Sequence, residues 1–594
     1  MTGVARPRAV DWSLVILLAL SCWLVQGYAF PHVNHGQEIP PVYALLDPTM
    51  FANDFAAQDF LGPNPRTLYQ YGLAGLVRLV GSVGTALFLL NILAHLAFFA
   101  GLIGTVRALL TRLDIALEPR IAQAGIAFVA IAAMLSPLSW GSRIFQSEAV
   151  PATFAMAIAI WSFVWALRAC WLLAFALAGL ATLLQFLIGL YTGLVLLPAL
   201  AFAAWQQRRW QIAPLPVLAW ILPAIALFLW MRTGAKPVPP GFDFLDVFGR
   251  FRVPHHWFPS TASGLEWACD ALLLVAGGLA LRTLARHRPE ARAPLVMLGG
   301  MILVAVLGTL ANVLFVELLP ITLIGKLQLQ RLMPFGHLAI FLAIGAALAA
   351  RPKLGADSRR DVHLALGLAV LPLVFTGLEL ASPGTIALIV AGAALASFIA
   401  HRPSPLAYAA PVLLAALLLV AHWRPAGLLS DGLQYRLERR YDPLGNRPIV
   451  GDKLARFMIE RSPKSALLLH SPEWDNFTSS FSMRAERAAY VSFKNVPYTD
   501  HGVAVWQRRM ERVIDRPIDG NLDFKRLRPL WRERNSADLE ALGRDVGACW
   551  LMDRVEDRQA HFGAPLVTDR IGDTSWGIWK IGNCADAPAI EPEH

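Results

Sequence analysis

Long apolar runs alternate with short polar punctuation over residues 12–423. The runs are about 17–25 residues long, the length a helix needs to cross a bilayer. They predict spans at 12–30, 83–106, from 121 to near 140, and a fourth returning to Arg168. Two short spans follow at 171–185 and 187–205, then 215–230, one returning to Arg282, one leaving at Glu317, and one at 332–350. Runs starting near Val362, Thr385 and Leu406 bring the set to about thirteen. The first run has no small-residue cleavage site and more spans follow it, so it reads as a retained helix rather than a signal peptide. Residues 68–80 depart from the pattern: their apolar positions fall on one helical face, which predicts an amphipathic helix lying at the interface.

Beyond residue 424 the period changes. Short apolar or aromatic runs at 466–470, 488–493, 548–553 and 577–581 have strand character. Helical patterns lie between them at 502–514 and 536–544, with a leading helix at 451–459. The fold class expected is a polytopic α-helical membrane domain, 1–423, followed by a soluble α/β domain, 424–594.

Composition agrees: 56% of residues are hydrophobic, 16% are charged, and the mean hydropathy is +0.50. The net charge of +10 is not a nucleic-acid footprint, because the Lys and Arg residues gather in alternate loops. By the positive-inside rule, Arg6, Arg8, Arg107, Arg112, Arg120, Arg208, Arg286 and Arg359 lie in the cytoplasm. An odd number of spans then puts the tail outside, in the periplasm of a bacterial inner-membrane protein. The cysteines at 22, 170, 269, 549 and 584 show no metal-ligand spacing. Only Cys549 and Cys584 share the soluble domain, as a disulfide or as two buried thiols.

The polar chemistry gathers in the outer loops. The first loop, 31–66, carries His32, Asn34, His35, Gln37, Glu38, Asp47, Asp54 and Asp59. Carboxylates at a membrane mouth suit acid/base or metal chemistry. The alternative is capping of turns and short helices, for which Asp47-Pro48 and Asn53-Asp54 are good starters. Later loops add Glu148 beside Arg143, then Arg250, Arg252, His255, His256 and Trp257, and finally Lys326, Gln328, Gln330 and Arg331. Ionisable groups there are costly to desolvate, so they are expected to face a polar cavity. Carboxylates can deprotonate an acceptor hydroxyl, while Arg, Lys and His can stabilise a phosphate leaving group. Arg331 also fits a snorkelling anchor, and Glu148 a structural pair with Arg143. Adjacent His255 and His256 would point apart in an extended loop, which favours substrate or phosphate contact over a two-His metal site.

This layout, a cytoplasmic N-terminus, an acidic first outer loop with an interfacial helix, about thirteen spans and an outer α/β tail, resembles the GT-C glycosyltransferase superfamily. The likeness also includes Asn34-x-x-Gln37, Asp47-Pro48, Asp54, the run from Arg252 to His256, Gln330-Arg331 and the tail segment from Arg487 to Lys494. The resemblance implies transfer of a sugar from a polyprenyl-phosphate donor to an acceptor at the periplasmic face. It makes Glu38 or Asp47 the acceptor-activating base, with Asp54 supporting it or binding Mg²⁺ or Mn²⁺ together with Glu148. Arg252, His255, His256 and Arg331 are the donor-phosphate candidates; Trp474, Arg484, Arg487 and Lys494 are the acceptor-site candidates. The partners implied are a lipid-linked sugar and membrane lipids, not nucleic acid. Rival readings are a transporter or flippase, a polysaccharide polymerase or ligase, and a non-catalytic envelope scaffold. Convergence of Glu38, Asp47, Glu148, His255 and Arg331 on one cavity separates the enzyme from the scaffold.

Overall fold

The computed structural model describes residues 12–31, 34–115, 119–380, 441–442, 451–571 and 573–581. The apolar runs form helices at Trp12–Gln26, Val83–Arg112, Pro119–Met134, Pro151–Leu167, Trp171–Leu184, Phe186–Gln206, Pro214–Thr233, Gly264–His287, Arg292–Asn312, Met333–Ala350 and Ala356–Leu380. Among the described residues, six helical segments are long and apolar enough to cross a membrane, and four shorter apolar helices accompany them. The spans expected from Thr385 and Leu406 lie outside the described residues, as does the expected domain boundary at 423 and 424.

Residue type sorts these helices. Met333–Ala350 is apolar and small-residue-rich on every side, and its segment is 94% buried at the centre of the bundle. Trp210–Thr233 is equally apolar but only 22% buried, which places it on the outer wall. The amphipathic segment forms Thr67–Val80. It buries Tyr69, Gln70, Leu73, Ala74 and Val77 at helical spacing, leaves Leu68, Tyr71 and Leu79 exposed, and ends on left-handed Gly81.

The C-terminal region is a five-stranded mixed sheet flanked by helices. Its order is β4-β3-β5-β7-β6, from β3 (Leu467–His470), β4 (Ala488–Ala489), β5 (Trp550–Arg554), β6 (Val567–Ile571) and β7 (Thr574–Lys580). The β4-β3-β5 half is parallel and the β5-β7-β6 half is antiparallel. A right-sized crossover helix, Asn476–Ala485, joins β3 to β4. The period of two is strict in β3: Leu467 and Leu469 enter one core, and Leu468 enters the other. The run expected at 488–493 pairs only over Ala488–Ala489, and β6 had no counterpart among the expected strands.

The core holding Leu467 and Leu469 is shared between domains. Phe244, Leu245, Phe251, Trp257 and Phe258, from the loop after Pro214–Thr233, pack there with Val491, Phe493, Trp506 and Met510. A second tie is the parallel pairing of β1 (Tyr28–Ala29) with β2 (Tyr441–Asp442). Bundle and α/β domain are thus joined by a common apolar core.

Candidate active site

The first loop folds into short helices and lies between bundle and domain. Helix His35–Glu38 sits directly on Asn476–Ala485, and a Cβ on Gly36 would collide with the Ser479 carbonyl. Gln37 Nε2 donates to the Val496 carbonyl at 2.7 Å, and Asn34 Nδ2 donates to Glu148 Oε2 at 2.5 Å. A cavity of about 670 Å³ opens where loop, bundle and domain meet.

Glu38, Glu148, Arg252, His255, His256, Arg331, Trp474 and Lys494 all line this cavity. They come from the first loop, the loops after Pro119–Met134 and Pro214–Thr233, the segment before Met333–Ala350, and the segments after β3 and β4. The last two lie beyond the carboxyl ends of parallel strands, the usual place for ligands on an open α/β sheet.

Each polar group has a defined setting. Glu38 is buried, one carboxylate oxygen is ion-paired with Arg66, and Oε2 has no hydrogen-bond partner. Arg331 Nε donates to Ser142 Oγ at 2.6 Å, and its NH1 donates to Gln328 Oε1 at 2.6 Å. Arg252 is 6% exposed, lies 4.5 Å from the Phe493 ring centroid, donates through NH2 to the Lys494 carbonyl, and leaves Nε without a partner. Among the described residues, the charged lining comprises five cations, Arg66, Arg143, Arg252, Arg331 and Lys494, against two carboxylates, Glu38 and Glu148. Such a wall favours an anionic ligand.

Burial tunes the titratable members. Lys494 is brought down to about 8, by desolvation first and the neighbouring Arg252 second. Desolvation, then Arg252 and Arg331, takes His255 down to about 4, and His256 falls well below its ordinary range for similar reasons. Both imidazoles are therefore neutral at pH 7. His256 Nδ1 lies 2.9 Å from the Trp140 carbonyl, which can only accept, so that contact assigns the proton to Nδ1. Its Nε2 is then an acceptor. This corrects the expectation that His256 donates to a donor phosphate: it can take a hydrogen bond from a hydroxyl but cannot offer one to a phosphate oxygen through Nε2.

Residues 452–513, which contribute Trp474 and Lys494 to the cavity, match the family model described as a domain of unknown function (DUF6798). No curated protein matches the chain. Among solved structures, the chain is similar to ArnT from Cupriavidus metallidurans in the apo state, with 14% identity, a TM-score of 0.45, and coverage of 95% of this chain and 97% of that one. It is also similar to the Archaeoglobus fulgidus oligosaccharyltransferase, determined as a complex with Zn and sulfate, with 11% identity, a TM-score of 0.37, and coverage of 92% and 68%.

Several expected site residues stand elsewhere. Asp47 accepts from Thr49 N and Oγ1 at 2.9 and 2.6 Å and from Lys464 Nζ at 2.6 Å, outside the cavity. Asp54 is buried as the N-cap of Phe55–Asp59, where it accepts from Ala57 N at 2.9 Å and Ala489 N at 3.4 Å. The capping alternative describes both carboxylates, and neither is placed as a base. Arg487 is buried, its donors satisfied by Ser462 Oγ and the carbonyls of Ile459, Ser462 and Glu486. Neither it nor Arg484 lines the cavity, so both leave the acceptor set.

The expected metal pair is split. Glu148 faces the cavity, whereas Asp54 spends its oxygens on backbone N–H groups at the domain interface. Among the described residues, no three His, Cys, Asp or Glu side chains converge to hold a metal ion. The donors present do not fit Mg²⁺ or Mn²⁺ held by Asp54 and Glu148. Cys549 is buried beside β5, and Cys584 and His32 lie outside the described residues. Sequence reasoning did not assign Arg66 and Tyr498 to the site. Arg66 is the sole Lys or Arg in residues 31–66, a signal that it is the counter-ion of the loop's carboxylate.

Proposed function

We propose that the protein is a membrane glycosyltransferase of GT-C type that takes a polyprenyl-phosphate-linked sugar as donor. The observation that carries this reading is the convergence of Glu38, Glu148, Arg252, Arg331 and Lys494 on one cavity beside the membrane bundle. The carboxylates supply bases, and the cations supply the countercharge for a phosphate that becomes a leaving group.

In this reading Glu38 is the base. Arg66 is ion-paired with the carboxylate, and the carboxylate takes the proton of the acceptor hydroxyl. The hydroxyl oxygen forms a bond to the anomeric carbon as the bond from that carbon to the phosphate oxygen breaks. The electron pair leaves with the lipid phosphate, whose charge Arg331, Arg252 and Lys494 stabilise. His256 Nε2 accepts from a sugar hydroxyl, and exposed Trp474, 6.3 Å from the His255 ring, offers a stacking face at the mouth. The acceptor stands on the periplasmic side, by the alternation of basic loops.

Equilibrium binding of decaprenyl phosphate to the full-length protein in detergent tests the donor half. Arg331→Ala and Arg252→Ala are each expected to weaken binding about ten- to a hundred-fold. Equal affinity in the parent and both variants would remove the phosphate site and, with it, the glycosyltransferase reading.

A further inference from the structure

A buried acid in the bundle stands behind this wall without belonging to it. Asp270, on Gly264–His287, is 4% exposed, and His337, on Met333–Ala350, is fully buried. Ser139 Oγ donates to Asp270 Oδ1 at 3.2 Å. His337 Nε2 lies 2.9 Å from the same oxygen, close in distance but outside hydrogen-bond alignment. A buried carboxylate in the bundle is costly, so its presence calls for a use.

Ser139 opens a tight turn. Ser139 and Ser142 exchange backbone bonds of 2.9 and 3.0 Å, with Trp140 at φ 46° and Gly141 at φ 72° between them. Two successive residues at positive φ are the mark of the primed hairpin turns, and a tryptophan there is strained. Something must hold it. Trp267, one helical turn before Asp270, packs edge-on against Trp140 with ring centroids 5.4 Å apart. The same helix therefore grips the turn at two points.

The far side of the turn carries the site. Ser142 Oγ accepts from Arg331 Nε, and the Trp140 carbonyl accepts from His256 Nδ1. Gly141 lines the cavity so close to His256 that a Cβ would enter the imidazole ring. We propose that Asp270 is a positioning residue: it pins the 139–142 turn, and the turn sets Arg331 and His256 at the cavity wall. The binding arm of the test rests on the phosphate reading above; the exchange arm does not.

Hydrogen exchange and decaprenyl phosphate binding are measured on the full-length protein carrying Asp270→Ala, Ser139→Ala or Asp270→Asn. In the two alanine variants, exchange across 139–142 is expected to rise while helix Met333–Ala350 stays protected, and affinity is expected to fall about tenfold. Asp270→Asn retains an oxygen that accepts from Ser139, so it is expected to restore both. Arg331→Ala is expected to cost less in the Asp270→Ala background than in the parent, because both act through one contact. A turn still protected in both alanine variants, or a loosened turn with parental affinity, would overturn the proposal. So would loss of protection throughout Met333–Ala350 in both, which would make Asp270 an ordinary packing residue. A parent protein that does not bind decaprenyl phosphate would refute the phosphate reading, leaving exchange to decide the role of Asp270.

Discussion

Glu38 and Arg66, near opposite ends of the first loop, are ion-paired at the cavity wall. The Arg66 guanidinium also lies 4.7 Å from the Tyr498 ring centroid, so one cation ties the carboxylate to the α/β domain. The pairing fixes one oxygen of Glu38 and leaves the other buried without a hydrogen-bond partner.

Glu38→Gln keeps the size and hydrogen bonding of the side chain and removes its basicity. Sugar transfer per folded molecule is expected to fall about 10²–10⁴-fold, alongside a drop in melting temperature as Arg66 loses its counter-ion. Turnover and melting measured on one preparation check this, and full turnover would exclude Glu38 from the chemistry.

Asp54→Ala should show the reverse. It removes an N-cap and strips a buried N–H of Ala489 of its acceptor, so stability is expected to fall by about 1–2 kcal/mol. Turnover per folded molecule is expected to stay at the parental level. A large loss of turnover without loss of stability would return Asp54 to the site.

Lys494 gives the site a pH dependence with a definite sign. An anion binds the charged ammonium best, and the free group loses its proton near pH 8. Affinity for decaprenyl phosphate is expected to hold up to about pH 8 and then decline, by at most about tenfold per unit. Stability from this group runs the other way. Between the folded value and the ordinary 10.5 the unfolded chain binds more protons, so the contribution rises with pH. Lys494→Met is expected to flatten both profiles. A parental binding profile unchanged between pH 7 and 9.5 would show that Lys494 does not touch the anion.

Gly141→Ala tests the wall from its surface. The new methyl meets the His256 ring, and alanine at φ 72° adds backbone strain of about 1–2 kcal/mol. Decaprenyl phosphate binding is expected to weaken together with thermal stability. Retention of both would mean that His256 moves aside freely.

Most of the bundle was legible because a span is declared by a single local property, an uninterrupted apolar run. Glu38, Glu148, His255 and Arg331 were legible as lining one cavity because ionisable groups at a membrane mouth need a polar surround. Asp47 and Asp54 misled because residue type does not reveal where lone pairs are spent. The partners that consume them, Lys464 and Ala489, lie in the distant α/β domain. Arg487 failed in the same way, its donors taken up by carbonyls from another helix end. Strand β6 was hidden by its composition, since Val567, Thr568, Asp569, Arg570 and Ile571 alternate without an apolar run.

Tyr28–Ala29 pairs with Tyr441–Asp442, and the first loop rests on residues near 479, 489 and 496. The cavity is thus closed by contacts between segments far apart in the sequence. A ribosome delivers Glu38 early and Lys494 late, with most of the bundle helices between them. Until the α/β domain emerges and docks, the early loop lacks its Val496 and Ala489 contacts, and Glu38 has no chamber around it. A chain stopped before the α/β domain is therefore expected to lack the closed cavity however well its helices insert.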